Sequence, residues 1–103
     1  MTTKEFILDG KNMSSVENFY QEVQRVLCPS GLKMGRNLHA FRDVLRGGFG
    51  AFDEGETIQV RIIHKKPMKK HLQEGFVISI FRAIEEAENV SLLRGSPNTE
   101  PMD

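Results

Sequence analysis

The sequence predicts one two-layer α/β domain, in which a three-stranded parallel sheet carries about four helices on one face. Segments with the two-residue period of strands are separated along the chain by pairs of segments with a helical period. These connections are long enough for crossover helices, and right-handed crossovers place all helices on the same side of a sheet. The length of 103 residues and the apolar share of 39% suit one domain with one core.

The first strand and the first helix follow from signals at their ends. Residues 4–9 contain an apolar run and end in an Asp-Gly turn signal, which predicts a short buried strand. A helix is predicted to begin at Ser14, three residues before Glu17, because this spacing lets each side chain bond an unpaired amide at a helix start. Its inner stripe is predicted to contain Val16, Phe19, Tyr20, Val23 and either Val26 or Leu27, and residues 28–31 end it.

A second helix and a second strand are predicted in the middle of the chain. The helix runs from Arg36 or Asn37 to Arg46, since Leu38, Phe41, Val44 and Leu45 share one side and two glycines follow. After an acidic loop at 50–56, β-branched residues occupy both faces of a strand that begins near Thr57.

The last third of the chain predicts two helices and a strand. Residues 67–72 form a short helix, and residues 74–88 form a longer one with Phe76 or Val77, Ile80, Phe81, Ile84 and Ala87 on its inner stripe. Residues 90–93 form the last strand. We expect the domain to span residues 1–94 and residues 95–103 to be a disordered tail, because the tail has two prolines and almost no apolar side chains.

Composition excludes several classes of function. Fourteen basic and fourteen acidic residues cancel, which argues against a dedicated nucleic-acid coat protein, so direct nucleic-acid binding is not expected. No apolar run approaches the roughly 20 residues that span a bilayer, and no basic leader precedes one, so we expect a cytoplasmic protein without a membrane partner. Cys28 is the single cysteine, and the three histidines match no ligand spacing, so no metal or cofactor is expected. No convergent acid, base and nucleophile are visible, so neither an enzyme nor a small-molecule substrate is expected.

One segment is specific enough to indicate a family. Within residues 35–48, a characteristic order of glycine, asparagine, leucine, alanine and aspartate is met by Gly35, Asn37, Leu38, Ala40, Asp43, Leu45 and Gly47. This segment resembles the barstar family of ribonuclease inhibitors. The resemblance covers about residues 4–94 in order and pattern, and it implies a barstar-like fold and a non-catalytic protein that occludes the active site of a ribonuclease.

The resemblance also implies which residues bind the partner. Asp43 matches the central acidic residue of the family and would act as a phosphate mimic in the ribonuclease. His39, Arg42, Asp43 and Arg46 have helical spacings that place them on one exposed face, although a solvated helix surface has the same pattern. Phe49 is either an exposed aromatic anchor or a core residue. The predicted contact residues are Lys33, Asn37, Leu38, His39, Arg42, Asp43, Arg46, Gly47 and Phe49.

Several positions depart from the family pattern. His39 replaces an aspartate, Arg42 a tryptophan, Lys33 a tyrosine and Ala83 a glutamate that faces the enzyme. Together with Arg36 and Arg46, these changes predict a net positive surface, which would repel the basic rim of the ribonuclease barnase. We therefore expect the partner to be another extracellular ribonuclease, or a related toxin nuclease, with acidic groups around its active site.

An RNA-associated module is the alternative function. It would use Arg36, Arg42 and Arg46 together with the lysine run at Lys65, Lys66, Lys69 and Lys70. The run lacks interleaved aromatic residues for base stacking, so a solvated helix face is favoured over RNA contact.

Overall fold

The computed structural model describes residues 3–29 and 33–93, and within them the chain forms three strands, four α-helices and one short 3-10 turn at Gly10–Asn12. The strands are β1 (Lys4–Asp9), β2 (Ile58–Ile63) and β3 (Val90–Leu93), and the helices are α1 (Val16–Leu27), α2 (Leu38–Arg46), α3 (Lys65–His71) and α4 (Glu74–Glu86). Both strand pairs are parallel, in the order β1-β2-β3. The predicted fold class is confirmed.

One face of the sheet is buried beneath the helices. Along β2, Ile58, Val60 and Ile62 are at most 1% exposed, whereas the side chains between them are half-buried. The strand register pairs Phe6 with Val60 and Val60 with Leu92, so apolar side chains from all three strands share this face. The sheet therefore has one packed face, as right-handed crossovers require.

The core between the sheet and the helices contains an aromatic cluster from three helices. Phe19 of α1 is fully buried, and its ring lies edge-on to Phe41 of α2 at 5.2 Å and to Phe76 of α4 at 5.5 Å between ring centroids. Each edge-to-face pair adds about 0.5–1.5 kcal/mol beyond simple burial. The cluster therefore holds α2 against α1 and α4, and this packing determines where the outer face of α2 points.

The start of α1 differs from the prediction by one residue. The N-cap is Ser15, whose hydroxyl accepts a hydrogen bond from the Asn18 amide at 3.1 Å, so the predicted pairing of Ser14 with Glu17 is wrong. The Glu17 carboxylate instead lies 3.1 Å from the Arg36 guanidinium. Glu17, at the second helical position, thus forms an ion pair with Arg36 at the surface.

The buried stripes of α1 and α4 also differ slightly from the predicted ones. Val16, predicted to face the core, is 47% exposed because the packed stripe of α1 begins one turn later, at Phe19. Of the two candidates at the end of the stripe, Leu27 is the fully buried one. In α4, Ala83 is 1% exposed and belongs to the core, whereas Phe81 is only half-buried. Ala83 is therefore not an exposed counterpart of the glutamate that the family resemblance placed there.

The start of α3 and the end of α4 each differ from the prediction by two residues, and the end of α3 differs by one. α3 begins at Lys65 rather than 67, and Pro67 fits its third position because amides of the first helical turn have no partner within the helix. α4 ends at Glu86 rather than 88, since Ala87 already has extended backbone angles. The predicted tail at 95–103 lies outside the described residues.

The buried carboxylate of Glu22 joins three elements. Its oxygens accept hydrogen bonds from the Asp9 amide at 2.9 Å, from Asn12 Nδ2 at 3.0 Å, and from Arg25 Nε and Nη2 at 2.9 and 2.7 Å. Burial alone would raise the pKa of Glu22, but the bonds from Arg25, Asp9 and Asn12 hold it below its ordinary value. The network connects the end of β1, the 3-10 turn and α1.

Candidate functional site

The outer face of α2 is positioned by the burial of its inner face. Phe41, Val44 and Leu45 are each 0% exposed, and Asn37 caps the helix by accepting a hydrogen bond from the Ala40 amide at 2.8 Å. A cap of this kind contributes about 1 kcal/mol. The cap and the buried stripe together fix the rotation of α2, so its remaining side chains project away from the core.

The acidic residue at the centre of this outer face is exposed. The Asp43 side chain has a relative exposure of 62%, and Arg46 Nη1 lies 3.8 Å from its carboxylate. His39 is also exposed. Because both partners of the Asp43–Arg46 pair face solvent, the pair is weak and easily exchanged for an ion pair with another molecule.

Two of the cations near this face are paired with carboxylates of other helices. Arg42 is half-buried, and its Nη1 lies 2.8 Å from Glu86 Oε1 at the end of α4. Arg36 Nε lies 3.1 Å from Glu17 Oε2 on α1. The predicted net positive surface counted only residues on and near α2, and it overstated the charge because α1 and α4 bring these carboxylates beside the cations. The face has mixed charge.

Gly47 shapes the loop that follows α2. Its φ of +98° favours glycine, and a Cβ there would lie 2.4 Å from the Asp53 carbonyl oxygen. The loop is further tied by the Gly55 amide, which donates to the Arg46 carbonyl at 2.7 Å. Gly47 is itself buried, so it frames the predicted site and presents no side chain to a partner.

The other predicted contact residues lie at the two ends of α2. Lys33 and Asn37 are exposed ahead of the helix. Leu38 and Phe49 are half-buried and pack against the hydrophobic core. Of the two interpretations of Phe49, core packing is therefore the one that the structure shows.

Asn89, which no sequence signal identified, fixes the end of α2. Its Nδ2 donates to the Leu45 carbonyl at 2.9 Å and to the Glu56 carbonyl at 3.0 Å. One amide group just before β3 thus joins the last turn of α2 to the residues before β2. Because these segments are far apart in sequence, only the tertiary structure reveals this contact.

The four lysines of the RNA hypothesis and the carboxyl end of α2 lie at opposite ends of the sheet. α3, which carries them, follows the carboxyl end of β2, whereas Asn89 and Glu56 lie at the amino ends of β3 and β2. Six strand residues separate the two ends by roughly 17 Å. The lysine run therefore does not adjoin Arg46 at the end of α2.

Comparison with known proteins assigns the family. The family model described as Barstar (barnase inhibitor) matches residues 3–97, nearly the whole chain. The chain belongs to the barstar family. Members of the barstar family are inhibitors and not enzymes. No curated protein matches the chain.

The helices of the described residues are short relative to a bilayer, and their acidic, histidine and cysteine side chains are dispersed. In residues 3–29 and 33–93, no helix is long and apolar enough to cross a membrane. The same part of the chain holds no group of three or more His, Cys, Asp or Glu side chains placed to bind a metal ion.

Proposed function

We propose that this barstar-family chain binds a barnase-like ribonuclease, or a related toxin nuclease, and blocks its active site with the Asp43 carboxylate. Family membership supports ribonuclease inhibition in general. The observation that supports the role of Asp43 is its exposure at the centre of a capped helix whose opposite face is fully buried. We propose that the inhibitor acts in the cytoplasm, where it protects the cell from the nuclease.

The mechanism follows from the electrostatics of ribonuclease active sites. Such a site binds the RNA phosphate with cationic side chains, and a carboxylate on a rigid scaffold presents the same charge in the same place. Complementary charge accelerates the encounter, and desolvated ion pairs slow dissociation. The rigid scaffold matters because a side chain that is already positioned loses little entropy on binding.

The mixed charge of the face favours a partner with both signs of charge around its active site. Asp43 requires a cationic pocket, whereas Arg46 beside it and the exposed Lys33 ahead of α2 favour carboxylates on the rim of that pocket. The arginine–carboxylate pairs at Arg42 and Arg36 reduce the repulsion that a basic rim would meet. We therefore expect binding to strongly basic ribonucleases to be weaker than binding to relatives with acidic rims.

Inhibition of RNA cleavage tests the proposal. The substrate is RNA, and the probes are barnase and barnase-like ribonucleases with more acidic rims. We expect the wild type to inhibit at least one of them at equimolar ratio, and Asp43→Ala to weaken that inhibition by about 100-fold, since about 2.7 kcal/mol of ion-pair energy is removed. Lys69→Ala, on the remote α3, serves as the control and should change inhibition less than twofold.

The outcome that contradicts the assignment is an equal effect of the two substitutions, provided that circular dichroism shows both variants folded. A salt titration with unrelated RNA tests the alternative function. Steep weakening of RNA binding with salt would support the RNA module, because counterion release produces that dependence.

A further inference from the structure

The outer face of α3 is a cationic surface. Met68 of α3 is 0% exposed and Leu72, directly after the helix, is 4% exposed, so the inner side is packed against the core. Lys66, Lys69 and Lys70 are exposed, and spacings of three and four residues place Lys66 beside the other two. Like charges at these spacings destabilise a helix. An anionic surface laid against α3 would relieve this repulsion.

Two of these lysines keep their charge within the fold. α3 contains no acidic residue, and Asp9, at the end of β1, lies 2.9 Å from His64 Nδ1 ahead of the helix. Among the described residues, no carboxylate forms an ion pair with Lys66 or Lys70. Lys11 adds another exposed cation, on the 3-10 turn that packs against α3. The outer face of α3 therefore has an excess of positive charge.

Exposed carboxylates lie beyond the other end of the sheet, in the loop after α2. Asp53 and Glu54 are exposed, and neither forms an ion pair in the part of the chain that the structure describes. The Gly55 amide donates to the Arg46 carbonyl at 2.7 Å, which holds this loop against the end of α2. The Arg46 guanidinium is itself 3.8 Å from Asp43. The loop therefore presents two unpaired carboxylates.

The two charged surfaces are far enough apart to act separately. α3 follows the carboxyl end of β2, and the acidic loop precedes its amino end, so roughly 17 Å of strand lies between them. Salt screens charges beyond about 10 Å at 0.1 M ionic strength. The formal net charge of zero also leaves no overall repulsion between copies of the chain. Two copies can therefore approach with opposite charges facing each other.

We infer that the outer face of α3 docks on the acidic loop of a second copy of this chain, with Lys66 and Lys70 beside Asp53 and Glu54. The contact joins two different surfaces, so it is head-to-tail, and further copies can add at either end. Exposed lysine–carboxylate pairs are weak and screened by salt, so the association is reversible and needs a high protein concentration. This self-association does not depend on the proposed function.

Sedimentation velocity of the full chain, up to about 1 mM protein and at low and high salt, tests the inference. We expect the wild type to associate at low salt with a dissociation constant on the order of 0.1–1 mM, and at least about tenfold more weakly at high salt. Lys66→Glu/Lys70→Glu and Asp53→Lys/Glu54→Lys should each weaken the association by about tenfold or more, because each places like charges in the contact. An equimolar mixture of the two variants should restore it, since each reversed surface then meets its complement.

The matched control is Lys33→Glu/Arg82→Glu, which changes the net charge as much as the α3 variant does but at exposed positions outside α3. It should weaken the association less than about threefold. Circular dichroism verifies that each variant is folded. If the α3 variant is not, Lys66→Gln/Lys70→Gln replaces it and should weaken the association by about threefold or more.

Four results would overturn the inference. The first is a wild type that stays monomeric at about 1 mM in low salt. The second is an association that the reversed variants weaken no more than the control does. The third is a mixture of the two reversed variants that stays monomeric, because the two surfaces then do not meet. The fourth is binding of unrelated RNA that Lys66→Glu/Lys70→Glu abolishes, without self-association, because the face would then serve a nucleic acid.

Discussion

Replacement of Glu22 by glutamine tests how strongly one buried carboxylate stabilises the fold. Glutamine has nearly the same shape, but it has one carbonyl oxygen where glutamate has two carboxylate oxygens. The donors that bond the second oxygen would face an NH₂ group, which cannot accept their hydrogen bonds. Whichever oxygen is kept, one bond from Arg25 is lost together with one from Asp9 or Asn12. A hydrogen bond to a charged group contributes about 1.5–3 kcal/mol. The Arg25 side chain is 62% exposed, so water replaces part of its lost bond. We therefore expect the free energy of unfolding to fall by about 3 kcal/mol.

The pH dependence of the loss follows from the pKa of Glu22, which lies below its ordinary value of 4.5 in the folded protein. A carboxylate with a lowered folded pKa stabilises fully above its unfolded pKa and loses this contribution as the pH falls through the folded pKa. Urea denaturation of the wild type and Glu22→Gln at pH values from 7 to 3 measures the difference in unfolding free energy. The difference should be largest at pH 7 and should shrink below about pH 4.5.

Glu17→Gln is the matched control in the same helix. Glu17 is 55% exposed and pairs with Arg36 at the surface, so the loss should stay below about 1 kcal/mol. A loss below about 0.5 kcal/mol for Glu22→Gln, or one that stays constant from pH 7 to pH 3, would refute the reasoning.

Two more predictions concern the loop after α2 and the buried thiol. Gly47→Ala should lower the unfolding free energy by more than about 3 kcal/mol in urea denaturation, because φ is positive there and the added Cβ would meet the Asp53 carbonyl. Gly55→Ala is the control, since Gly55 has a φ of +77° but open space around it, and it should lower the unfolding free energy by only about 1–2 kcal/mol. A similar loss for both would show that the contact is relieved by movement of the loop. Burial raises the pKa of the Cys28 thiol despite the nearby Arg36. The native protein should therefore react with a thiol reagent at pH 8 at least about 100-fold more slowly than the protein unfolded in urea. An equal rate in both states would contradict the buried position.

The strands and helices could be predicted because their signals are local. The alternation of Ile58, Val60 and Ile62 defines β2, and the glycine at 47 marks the end of α2, with no reference to distant residues. At the start of α1, two neighbouring local signals compete. Ser14 and Ser15 are both of a residue type that caps helices. The hydrogen bond from the Asn18 amide to the Ser15 hydroxyl makes Ser15 the N-cap.

The site could be predicted only in part, because its charges come from segments that lie far apart in sequence. The motif around Asp43 predicted a helix with an exposed charged face, and Asp43 is exposed on that face. The pairing of Arg42 with Glu86 depends on how α2 packs against α4, and a count of charges along α2 does not contain that information. The same holds for Glu22, whose burial depends on the docking of α1 against the end of β1.

The double hydrogen bond of Asn89 has a consequence for the kinetics of recognition. In the complex that we propose, little conformational search remains for α2, because its end is already tethered to the core. Under this proposal, a change of partner would act on the charged side chains of the outer face of α2, while the backbone beneath them stays in place. A new partner specificity would then come from substitutions on that face, with the Asn89 tether left intact.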